Sequence, residues 1–161
     1  MGAGTMPIRS EAVPPRIVLD TNVCLDLFLF NDALSSHVLA ALRRGEVQAV
    51  VDDACRDEWL RVLHYPQLPI DEGNRTKVHA AWEETVAYVP NSALQAFDET
   101  SLPRCGDPDD QKFLELALAS GARWLLSKDR ELLKLDGRTR RAGLFTVCLP
   151  QQWSMSDVRS G

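Results

Sequence analysis

The chain has 161 residues, 45% apolar and 25% charged, with a formal net charge of −5. That length suits one domain around a single sizeable core, and no apolar run is long enough to span a bilayer. The negative balance argues against a protein that coats nucleic acid by bulk electrostatics, but it allows an acidic cleft that holds metal.

The opening stretch MGAGTMPIRSEAVPP has no apolar signal-like core, so no secretory signal is expected. The expected organisation is a flexible tail over residues 1–15, a single domain over 16–155 and a short C-terminal tail over 156–161. Cys24, Cys55, Cys105 and Cys148 form no C-x-x-C pair, which predicts reduced thiols in a cytoplasmic protein without membrane contacts. The three histidines lack zinc-ligand spacing. There is no phosphate-binding glycine loop and no G-x-S-x-G nucleophile elbow.

In chain order, IVL (17–19) reads as a strand and Asn22–Phe30 as a helix. Ala33–Arg44 reads as a second helix, stopped by Gly45. VQAVV (47–51) is a strand, and Asp52-Asp53 offers an N-cap for a helix from Ala54 to about His64. Pro66 and Pro69 end it. Glu72–Thr85 reads as helix, VAYV (86–89) as strand and Asp109–Ser120 as helix ending at Gly121. WLLS (124–127) and LFTVC (144–148) are the last strands. Short apolar strands separated by helices predict an α/β fold. The expected form is a three-layer α/β/α sandwich on a mainly parallel sheet of about five strands.

In such sheets ligands gather beyond the C-terminal strand ends. Asp20 ends the first strand there, and Asp129 follows the fourth. Glu58 borders the apolar helix face of Cys55, Trp59 and Val62, where an acid is costly unless paired or bound to a cation. Asp110 shares a helical row with Phe113 and Ala117, with Asp107 and Asp109 nearby. Each acid alone has an ordinary explanation as a cap or a turn residue. Together they predict a cluster. At about 5 Å and an effective dielectric near 20, each ionised pair repels by about 3 kcal/mol. Hard divalent cations such as Mg²⁺ or Mn²⁺ suit such an oxygen set.

The pieces RIVLDTNV (16–23), DEWLRVLHYP (57–66), CGDPDDQKFLELALASGARWLLSKDRELLKL (105–135) and FTVCLPQQW (145–153) resemble the PIN-domain nucleases. The likeness extends to the bacterial PIN proteins regarded as toxins of toxin–antitoxin pairs. The resemblance implies metal-dependent cleavage of RNA with Asp20, Glu58, Asp110 and Asp129 as catalytic and metal-binding acids. Asn22, Asp107, Asp109 and Ser127 are candidate accessory residues. Where relatives carry a further aspartate after Asp110, this chain has Gln111. An antitoxin protein and a second copy of the chain are candidate partners. Lys128, Arg130, Arg138, Arg140 and Arg141, with Lys134 among them, form a candidate RNA-binding rim, although a solvated charged loop explains them equally well.

Two rivals remain. One is a non-catalytic PIN-like module that binds RNA or protein. The weaker one is a haloacid-dehalogenase-type phosphatase, which resembles D-x-D where this chain has Asp20-Thr21-Asn22.

Overall fold

The computed structural model describes residues 13–155. Most of the expected N-terminal tail and all of the C-terminal one lie outside them. The five strands are β1 (Arg16–Leu19), β2 (Gln48–Val51), β3 (Val86–Tyr88), β4 (Trp124–Leu126) and β5 (Thr146–Cys148). They form one parallel sheet in the order β3-β2-β1-β4-β5. Ile17 faces Ala49 on one side and Trp124 on the other, so β1 is central.

Consecutive residues Ile17, Val18 and Leu19, and likewise Trp124, Leu125 and Leu126, are buried. Successive strand side chains point to opposite faces, so burial of all of them requires cover on both. The helices supply it, giving the expected α/β/α architecture.

The helices are α1 (Thr21–Phe28), α2 (Ser36–Arg43), α3 (Asp53–Val62), α4 (Glu72–Thr85), α5 (Gln111–Ser120), α6 (Arg130–Leu133) and α7 (Asp136–Arg141). Their starts follow local chemistry. Asp20 accepts from the Val23 N–H to cap α1, and Asp52 accepts from Cys55 to cap α3. Asp71 and Asn74 close a reciprocal capping box on α4. Gly121, at φ 71°, ends α5 in the left-handed conformation that favours glycine. Behind the sheet, Trp59 stacks on Trp82 with ring centroids 5.2 Å apart and donates its indole N–H to His79. All four tryptophans are buried.

Expectations change in detail: the helix expected over Asp109–Ser120 begins at Gln111, after a 3-10 turn at Pro108–Asp110. The helix expected over Ala33–Arg44 opens with a 3-10 turn at Ala33–Ser35, because Asp32 caps Leu34 and draws the chain into a tighter turn. The charged stretch after Asp129 folds into α6 and α7, which pack against β5. Among the described residues no single helix is long and apolar enough to cross a membrane.

Strands β1, β2 and β3 run outward to one side, and β4 and β5 fill the other. The order therefore reverses between β1 and β4. That switch point is where side chains from two loops can face one another across a crevice.

Candidate functional site

Asp20 follows β1 and Ser127 follows β4, so the parallel pairing of Leu19 with Leu126 brings them together. Ser127 Oγ donates to Asp20 Oδ2 and itself accepts the Asp129 N–H at 2.9 Å. The other Asp20 oxygen holds the Val23 N–H at 2.9 Å. Asp20 is thus fixed by a strand, a helix start and the next strand's loop. It is 4% exposed. Burial raises its pKa to about 6, against the lowering effect of the Ser127 and Val23 hydrogen bonds, and Asp129 pushes it further up.

Asp129 caps α6 through the Glu131 N–H at 2.7 Å. Across from it, the chain Asp107-Pro108-Asp109-Asp110 forms a 3-10 turn capped by Asp107. This turn delivers Asp110 to the cleft. Burial, then the adjacent Asp129 carboxyl and the charges of Asp107 and Asp20, raise the Asp110 pKa to about 7. One carboxylate oxygen each from Asp107, Asp110 and Asp129 lie within 4.8 Å of one another.

Asp20, Glu58, Asp110 and Asp129 all line one open cleft of about 370 Å³. The four expected acids therefore share a cavity, but they are not equivalent. The tight trio contains Asp107 in place of Asp20 and Glu58. Glu58 is already paired: Lys112 Nζ lies 2.6 Å from Oε1, and Thr21 Oγ1 donates to Oε2. Asn22 lines the cleft; Asp109 does not. Asp110 faces the cavity from the 3-10 turn rather than from the α-helix expected over Asp109–Ser120.

Gln111, at the position of the missing carboxylate, serves the loop. Its Oε1 accepts from the Cys105 N–H at 2.8 Å and its Nε2 donates to the Pro103 carbonyl. Cys105 sits against the acids, and burial foremost pushes its thiol pKa up. The neutral thiol leaves the trio an oxygen donor set. Three converging carboxylates without a basic partner among the described residues, two cleft acids raised toward neutrality and no competing thiolate fit a hard divalent cation.

None of Lys128, Arg130, Arg138, Arg140 and Arg141 lines the cleft. Lys128 pairs with buried Asp26 at 2.7 Å, and Arg140 pairs with Asp136 at 3.0 Å. The last three arginines lie on α7 against the edge strand, away from the switch point.

Several cleft residues escape sequence reasoning. Thr21 and Lys112 act through Glu58. Tyr65, Gln67 and Leu68 form a wall in the turn after α3, beside Leu25, Val62 and Phe113. Tyr65 is 43% exposed. The available signal was YPQLP, a proline-bounded turn with an aromatic residue directly after the helix carrying Glu58.

No curated protein matches the chain. The model of the PIN domain, a domain of generally nucleolytic proteins, matches residues 16–131, well over half the chain, and the protein belongs to that family.

Proposed function

We propose that this PIN-domain protein is a metal-dependent endoribonuclease that hydrolyses RNA phosphodiesters with Mg²⁺ or Mn²⁺. The observation that carries this reading is the meeting of Asp20, Asp110 and Asp129 in one cleft at the sheet's switch point, with Asp107 beside them. Asp107, Asp110 and Asp129 would hold the ion. Asp20, locked by Ser127 and Val23, would set the negative field behind it. When bound, the cation supplies Lewis acidity that acidifies a water and neutralises phosphate oxygens.

The chain's own residues do the rest. Ser127 links Asp20 to the Asp129 backbone, so the two acids keep a fixed relation. Asn22 offers an amide at the cleft mouth to orient a water or a phosphate oxygen. Among the described residues no cysteine, serine or histidine lines the cleft, and water would be the nucleophile. The uncharged wall of Tyr65, Gln67 and Leu68 gives a nucleobase a surface on which to lie, and aromatic stacking tolerates any base.

The resemblance to bacterial PIN toxins supports a toxin role in the cytoplasm, with an antitoxin protein as partner. Phe30 and Leu34, exposed where α1 turns toward α2, offer an apolar surface to that partner or to a second copy of the chain. The decisive experiment incubates purified protein with single-stranded RNA in Mn²⁺ or in EDTA. Cleavage in Mn²⁺ that vanishes in EDTA and in Asp129→Asn is the expected result. RNA binding without cleavage at any metal concentration would leave a binding module instead.

A further inference from the structure

Glu58 and the aspartate trio differ in how their charge is balanced. Both Glu58 oxygens are occupied, one by the Lys112 ammonium at 2.6 Å and the other by the Thr21 hydroxyl. Neither member of the ion pair is well solvated: the Lys112 side chain is 19% exposed and that of Glu58 17%. Lys112 is held from further sides as well. Its Nζ donates to the Asp109 carbonyl and lies 5.4 Å from the centroid of the Phe113 ring. Three neighbours therefore fix the ammonium, whereas a solvated lysine would be free to swing away. Among the described residues, no ammonium or guanidinium pairs with the carboxylates of Asp107, Asp110 and Asp129, which lie within 4.8 Å of one another.

We propose that Lys112 is a built-in cation of this site. Its ammonium neutralises the Glu58 end, so the centre takes a single divalent ion at the Asp107–Asp110–Asp129 end. Glu58 is then a positioning residue that holds Lys112, not a metal ligand.

The physical reason is local. A second dication at Glu58 would have to displace the ammonium and the Thr21 hydroxyl together. The freed ammonium would still be tethered beside it, on the first turn of α5, and like charges at that range repel strongly where water is scarce. The same ammonium sits beside Glu58, which lines the cleft, and could accompany a phosphate there without leaving Glu58, since a lysine carries three donors.

This inference rests on the metal-dependent reading, and its test is independent of RNA cleavage. Mn²⁺ alone is titrated into the full chain at pH 8 by calorimetry, with free Mn²⁺ followed by electron paramagnetic resonance. The wild type is expected to bind one ion. Lys112→Met, which leaves Glu58 without its counter-charge, is expected to bind two, and Lys112→Arg, which keeps the charge, to bind one. Glu58→Gln should leave the affinity for the first ion within about threefold, and Asp129→Asn should weaken it by about a hundredfold or more.

Two ions of similar affinity in the wild type would overturn the inference, as would a single ion in a Lys112→Met variant that melts cooperatively. No Mn²⁺ binding at all would overturn the metal-dependent reading too. One ion bound without RNA cleavage would leave Lys112's role standing and remove the nuclease.

Discussion

Asp20→Asn should make the metal-free protein more stable at neutral pH, although it alters the acid at the centre of the cleft. The side chain is 4% exposed and its pKa is raised from 3.8 to about 6. That value already includes the opposing help of Ser127 and Val23. A folded-state pKa above the unfolded one means that the folded protein binds the proton more tightly. The stability this provides is complete below pH 3.8 and is lost as pH rises through about 6. Two pH units at about 1.4 kcal/mol each amount to about 3 kcal/mol. Above pH 7 the ionised, buried acid is therefore a liability of about that size.

Asparagine keeps an oxygen for the Val23 N–H and places an amide toward Ser127, whose hydroxyl can turn. Without the titrating charge, the variant should match the wild type near pH 4 and exceed it by about 3 kcal/mol at pH 8. For a domain of this size that is roughly 6–12 °C in Tm. Urea denaturation in EDTA at pH 4.5 and pH 8 measures it. A variant no more stable than wild type at pH 8, or one that gains equally at both values, would refute the electrostatic account of Asp20.

Other outcomes follow from the same geometry. Mn²⁺ at about one hundred times its dissociation constant should stabilise the wild type by about 2.7 kcal/mol, read as a Tm rise that Asp129→Asn loses. Apparent Mn²⁺ affinity should weaken as pH falls below 7, because Asp110 then carries a proton that the ion must displace; calorimetry at pH 6 and pH 8 shows the trend. Tyr65→Ala should weaken binding of single-stranded RNA by about 1–3 kcal/mol and Tyr65→Trp should restore it, as read by fluorescence anisotropy. Gly121→Ala should cost about 1–2 kcal/mol in urea denaturation. Its Cβ meets nothing within 4 Å, so the whole penalty comes from the backbone at φ 71°.

The sheet was largely legible because β1 and β4 are apolar on consecutive residues, which only a strand covered on both faces requires. Asp20 and Asp129 were legible for the same reason: a strand end fixes where its next acid must be. Asp110 was placed by extending the row of Phe113 and Ala117 backward, although it lies one residue before α5, at the end of a 3-10 turn. Asp107 was harder to place. It reaches the trio through a 3-10 turn that it caps itself, and a period of 3.6 residues does not describe that turn. The Lys112–Glu58 pair had no local signature at all, because it forms only when α5 packs beside α3. Helices α6 and α7 are too short to show an apolar period, and their charge reads as loop. The candidate RNA rim is divided for that reason: once folded, α7 carries three of its arginines to the sheet edge.

The central strand β1 precedes its partner β4 by about a hundred residues of chain. Ser127 bonds to an aspartate 107 positions earlier in the chain. A polypeptide still emerging from the ribosome therefore has Asp20 long before it has Asp107, Asp110 or Asp129. If the cleft cuts RNA, no copy that has yet to reach Asp129 can do so, and the messenger being read is spared until then.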